Sequence, residues 1–366
     1  MRKHWIDNLR WTTVLLVLLY HVFYFYNNKG VVGGVGGFGD GPQYQDIVMY
    51  ILYPWFMPLL FILAGMSARY ALEKHSAKEW FRSRTRKLLV PSTIGLFFFG
   101  VFIGWFNSMT SPAGDVLADL PGPVKYFIWV VSGTGPLWFI QDLWLLSLVL
   151  LLVRRLDGKG RFMELCGKIG ISGVILMGVL FWLGHRTLIM EPDPASAEGL
   201  WNLYKPFFYL LPFLMGYFVF SHDVVQEKVG RAWKPLMACA AVCGVILIAT
   251  GFGQDNTSPQ YLCSPLNNIY GWLMCLAMMG WFKACFDRTG RFAGYMTRSS
   301  YGIYIVHYLI IVSFGYLMKT HTQMPPVCMY LILTLAVFTL SPLLYEILRR
   351  IPFIRWCVLG ESRRSR

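Results

Sequence analysis

DNLRWTTVLLVLLYHVFYFY, Asp7 to Tyr26, is the stretch on which the reading of the whole chain turns. A polar entry, Asp7-Asn8-Leu9-Arg10, leads into an apolar run that is interrupted by a histidine. Arg10 and His21 are eleven helical steps apart. At about 100° per step the chain returns to within about 20° of its start, so both residues share one helix face, about 16 Å apart along the axis. Asp7 falls within about 40° of His21 by the same arithmetic. An ionisable ring in an apolar span is costly unless it faces protein or water, which makes His21 a functional-site candidate. The plainer account is a neutral histidine bonded to a neighbouring helix, with Arg10 snorkelling to the boundary.

The composition extends this reading to the full 366 residues. They are 56% hydrophobic and 14% charged, whereas a soluble protein carries roughly 25% charged residues. The apolar residues come in blocks long enough to cross about 30 Å of hydrocarbon. Spans near 11–28, 46–72, 88–109, 135–153, 169–185, 205–221, 233–252, 266–286, 301–319 and 327–348 give an all-α, polytopic membrane protein with about ten transmembrane helices. No small-residue cleavage site follows the first block, so it is read as a span and not as a signal peptide. Of the 33 Lys and Arg residues, five (Lys29, Lys125, Arg186, Lys205 and Lys319) fall on the side opposite the N-terminus. That bias places both termini in the cytoplasm. It also accounts for the net charge of +14 without nucleic acid. The expected organisation is an integral membrane domain over 1–350 and a short basic cytoplasmic tail over 351–366. The eight cysteines show neither ligand nor redox spacing, and no metal is expected.

Several further stretches carry polar chemistry. Gly30 to Gly41 holds seven glycines in twelve residues and reads as a flexible connector. Pro54 and Pro58 predict a kink in the second span. That span ends in Ala64-Gly65-Met66-Ser67-Ala68-Arg69, and Lys74, Lys78, Arg82, Arg84, Arg86 and Lys87 follow before Pro91. Topology alone produces such a basic run, but its guanidinium groups also suit the phosphates of a nucleotide-bearing donor. The external stretch Tyr126 to Val131 forms an apolar patch against the membrane. The fourth span opens GPLWFIQD, which puts Asp142 about 10 Å below the external end, level with His21 and placed to orient its imidazole or to pair with another helix. The loop from Arg186 to Tyr204, with Glu191, Asp193 and Glu198, reads as a connector or an acceptor-shaping segment. In the ninth span Ser300, Tyr304 and His307 make one polar face, for interhelical hydrogen bonding or for function.

Taken together, Asp7-x-Leu-Arg10-x10-His21, the Ala-Gly closing the second span, FRSRTRKLLVP, GPLWFIQDLWLL and SYGIYIVH resemble the membrane-bound acyltransferase family 3 over about residues 5 to 350. The family includes O-acyltransferases of cell-surface glycans and glucan succinyltransferases. The resemblance implies transfer of an acyl group, often acetyl, from cytoplasmic acyl-CoA to a hydroxyl at the external face of a bacterial cytoplasmic membrane. The acceptor would be a cell-envelope glycan or another carbohydrate or hydroxyl compound. The family's essential histidine maps onto His21 and its arginine onto Arg10; its basic stretch maps onto Arg82 and Arg86. Ala64-Gly65 departs from the family's usual Ser-Gly, so no role carries over there.

The expected catalytic residues are therefore His21, Arg10 and Asp142, with Arg10, Arg69, Arg82, Arg84 and Arg86 for the donor. Histidine near its reference pKa of about 6.5 suits a general base acting on a hydroxyl. The rival readings are a proton-coupled transporter or flippase using His21, Asp142 and His307 as a relay, and a non-catalytic sensor.

Overall fold

The computed structural model describes residues 3–28, 34–39, 41–110, 117–188 and 205–361. Part of the glycine-rich loop, the proposed acceptor-shaping loop from residue 189 to 204, and the last five residues lie outside the described residues. The described chain is all-helical, 80% helix with no strands. Helix is the solution that lets each apolar segment satisfy its own backbone polar groups in lipid.

The longer helices are α1 (His4–Phe25), α2 (Phe56–Leu72), α3 (Val101–Thr110), α4 (Gly122–Ser132), α5 (Trp138–Leu156), α6 (Ile171–Leu188), α7 (Pro206–Met215), α8 (Trp233–Gly251), α9 (Pro265–Cys285), α10 (Arg291–His321) and α11 (Pro326–Leu348). Among the described residues, six helical segments are long and apolar enough to cross a membrane: 44–72, 135–156, 171–188, 233–251, 291–321 and 326–348. A seventh is added if Pro206–Phe220 and Asp223–Arg231, bent by 100°, count as one span. The chain is thus a multi-pass membrane protein. Two more expected spans, α1 and α9, are unbroken helices of 22 and 21 residues.

The expected third span is not one regular helix. Thr85–Leu89 and Leu96–Gly100 are π-helical, with turns around Pro91 between them. Proline lacks the N–H that a continuing helix needs, and π-helical turns concentrate at functional sites. The second span also breaks, between Leu52 and Phe56 around Pro54.

The chain forms two compact units. The first comprises Met1–Thr13, Tyr50–Phe81 and Leu145–Thr297. In it α2 and α7 approach backbone to backbone. A Cβ on Gly65 would lie 2.0 Å from the Phe213 carbonyl oxygen, and one on Gly216 2.1 Å from that of Ile62. Such small-residue crossings are the usual way for membrane helices to gain dispersion contact without a hydrophobic driving force. The start of α1 is tied to the segment after α9. The Trp5 N–H donates to Asp287 Oδ1 at 3.0 Å, and Asn8 Nδ2 donates to the carbonyls of Phe286 and Arg288, each at 2.7 Å.

The second unit comprises Val14–Met49, Arg82–Trp144 and Arg298–Arg366. Here α1 packs on α10 and α11: the Tyr26 hydroxyl donates to the Gly315 carbonyl at 3.0 Å, and the Phe23 and Tyr330 rings stack at 4.8 Å. The patch from Tyr126 to Val131 lies in α4, whose Trp129 carbonyl meets Gly104 of α3, while Phe127 and Val131 are exposed. Residues 352–361, expected as tail, form a helix (Pro352–Cys357) and a buried turn belonging to this unit.

Candidate active site

In the second unit His21 is held by α1 and met by α10. Its Nδ1 lies 2.9 Å from the Val17 carbonyl oxygen one turn earlier and 3.2 Å from His307 Nε2. His307 is fully buried, and its own Nδ1 lies 2.5 Å from the Tyr304 carbonyl oxygen. These contacts settle the proton positions in the neutral pair. A carbonyl only accepts, so His307 Nδ1 carries hydrogen toward Tyr304 and its Nε2 is left as an acceptor. His21 Nδ1 must then be the donor toward both Val17 and His307. The Nε2 of His21 is therefore the nitrogen with a lone pair to spare. The residue as a whole is partly exposed.

Aromatic rings fix the imidazole in place. Tyr20, Tyr24 and Tyr308 meet His21 with ring centroids at 5.5, 6.1 and 5.4 Å. The segment before α5 closes one side: Gly135, in the left-handed region at φ 41°, brings its backbone against the Tyr308 ring, and the Tyr304 hydroxyl donates to the Pro136 carbonyl. A side chain at Gly135 would be strained and would press on that ring.

Asp142, expected to orient His21, is bonded to neither histidine. It is 3% exposed and its Oδ2 has no hydrogen-bond partner. The residues beside it on α5 reach toward the broken third span: Gln141 Nε2 donates to the Ser92 carbonyl at 2.8 Å and Trp144 Nε1 to Thr85 Oγ1 at 3.1 Å. His307, not Asp142, is the residue that meets His21. Its signal was the Ser300-Tyr304-His307 face, which spacing alone did not connect to His21.

The arginines divide between the units. Arg10 and Arg69 lie in the first, and Arg82, Arg84 and Arg86 in the second. Arg10 donates to Asp7 Oδ1 at 3.1 Å and to Ser67 Oγ at 2.5 Å. Ser67 in turn donates to the Leu63 carbonyl at 2.7 Å, so the guanidinium is oriented from two sides. Arg69 pairs with Glu73 at 3.1 Å and lies over the Tyr217 ring. In the second unit Arg86 Nε is buried without a partner. Its π-helical turn is held by Trp144 on Thr85 and by the Tyr301 hydroxyl, which donates to the Lys87 carbonyl. An unpartnered guanidinium nitrogen among neighbouring cations fits an anionic ligand. No group of three His, Cys, Asp or Glu side chains that could hold a metal occurs among the described residues.

Fold and site together define a multi-pass helical membrane protein in which two histidines of different helices meet. The chain belongs to acyltransferase family 3: the family model described as an acyltransferase domain matches residues 3–346. It is accordingly an acyltransferase. No curated protein and no solved structure gives a significant match.

Proposed function

We propose that the protein moves an acyl group, acetyl by preference, from cytoplasmic acyl-CoA to a hydroxyl of a cell-envelope glycan or similar acceptor at the external face of a bacterial cytoplasmic membrane. The observation that carries this reading is the His21–His307 pair, which leaves His21 Nε2 with a lone pair to spare. A hydroxyl is a weak nucleophile until a base takes its proton. In the proposed reaction that proton passes to His21 Nε2 as the oxygen attacks the thioester carbonyl carbon. When the carbon–sulfur bond breaks, the same proton goes on to the leaving sulfur and regenerates the neutral ring. Arg82, Arg84 and Arg86 would pair with the donor's phosphates; Arg10 and Arg69 are kept as candidate donor residues on the family resemblance and their charge. Asp142, buried with a spare oxygen, is kept as a catalytic candidate.

Donor binding tests the reading. Replacing Arg82, Arg84 and Arg86 together with glutamine removes three charge-assisted contacts, each worth about 1.5–3 kcal/mol. Coenzyme A binding to the purified protein, measured by calorimetry, should weaken by at least about a hundredfold. A folded triple variant that binds as tightly as the parent would return these residues to topology signals.

The proposed topology has ten crossings and both termini inside, on the strength of the basic-residue bias. Cysteine substituted at Gly36 should react with an impermeant reagent in intact cells, and cysteine at Arg84 should react only after permeabilisation. Labelling at position 84 from outside would overturn the orientation.

A further inference from the structure

The last described residues of the chain are built into the basic stretch rather than trailing from it. The Phe353 ring meets that of Phe98 edge-on at 5.0 Å. A Cβ on Gly95 would lie 2.7 Å from the Cys357 carbonyl oxygen. Cys357, Val358 and Leu359 are at most 1% exposed. Then comes Gly360, at φ 63°, where a Cβ would lie 2.9 Å from Lys87 Cα and 3.0 Å from the carbonyl oxygens of Arg86 and Lys87. Position 360 thus needs glycine twice, for its left-handed backbone and for the backbone lying against it. Glu361 locks the turn: its N–H donates to the Arg355 carbonyl at 3.1 Å, and its carboxylate accepts from the Tyr345 hydroxyl at 3.0 Å.

The turn that Gly360 touches is short of negative charge. Burial first, and then the neighbouring Arg84 and Arg86, hold the Lys87 ammonium below the usual lysine range, with Glu361 acting in the opposite sense. A π-helical turn is a rare, single-turn departure from the α-helix that occurs frequently at functional sites. We propose that the segment Pro352–Glu361, through the backbone contact of Gly360 on Arg86–Lys87, positions the cations that bind the donor's phosphates. The inference rests on the reading of Arg84 and Arg86 as donor ligands. Gly360 touches no substrate in it and acts through the turn it supports.

Gly360→Ala in the full chain, purified in lipid nanodiscs, tests this. A left-handed alanine costs about 1–2 kcal/mol before any clash, and the turn is the part free to yield. Coenzyme A should bind about tenfold more weakly and the donor KM should rise in step, while kcat at saturating donor and the acceptor KM stay within about twofold. Equal loss of kcat at all donor concentrations would mean general damage and overturn the proposal. If Gly360→Ala does not assemble, Tyr345→Phe carries the test. It removes one hydrogen bond to Glu361, leaves Gly360 alone, and should weaken coenzyme A binding about twofold to tenfold; unchanged binding overturns the proposal. A parent that binds no coenzyme A sinks the donor reading and this inference with it. A parent that binds, an arginine triple variant that does not, and a Gly360→Ala protein as tight as the parent sink the inference alone.

Discussion

His21→Ala should abolish detectable acyl transfer while leaving the helices assembled. The side chain is only partly buried and its bonds are to the Val17 carbonyl and His307, so its loss leaves a small gap beside Tyr24 and Tyr308 and no unpaired charge. General-base assistance is worth roughly 10² to 10⁴ in rate, enough to take turnover below the background of a membrane assay. His21→Gln separates hydrogen bonding from proton transfer. Glutamine can donate toward His307 in place of Nδ1, but no atom of it takes up a proton at neutral pH. Both variants should therefore fail alike. The measurement is transfer of labelled acyl groups in membranes over a range of donor concentrations, with assembly read from the size-exclusion profile. Parental turnover in His21→Ala would remove the base from the mechanism and leave His21 as a helix-packing residue.

Much of this arrangement was legible in the sequence because membrane helices obey few rules. Long apolar runs with rare charges must be helical and must cross or lie in lipid, which was enough for the class and for singling out His21. What spacing does not contain is rotation between helices. Depth counted from loop ends put Asp142 level with His21, yet each residue moved at a boundary shifts depth by about 1.5 Å. The face that a helix turns to its neighbour is set by close crossings such as Gly302 on Tyr345 and Gly315 on Phe25. Those crossings turn His307, not Asp142, onto His21. The break in the third span was half visible: Pro91 marked a boundary, but nothing in FRSRTRKLL announces a π-helical turn. Residues 352–361 read as tail because they follow the last apolar run and lead into the basic end of the chain. Their burial depends on Gly360, one glycine whose contact partner lies more than 250 positions earlier in the chain.

The second large effect is expected at His307, and its pattern across substitutions matters more than its size. When His21 takes the acceptor's proton it becomes a cation, and its Nδ1–H then donates to His307 Nε2 as a charged donor. Hydrogen bonds to charged groups are worth about 1.5–3 kcal/mol, so removing the acceptor should slow transfer about tenfold to a hundredfold. His307→Leu fills the same buried space with no acceptor and should show the whole loss. His307→Gln presents a carbonyl oxygen that can accept from Nδ1–H, and should recover a substantial part of it. Donor affinity should not change in either variant, because the interaction strengthens only as the proton moves. The readout is kcat and donor KM for the three proteins side by side. Leucine and glutamine equally slow, or a loss confined to KM, would mean that His307 only packs against α1, and the proton positions assigned to the pair would have to be redrawn.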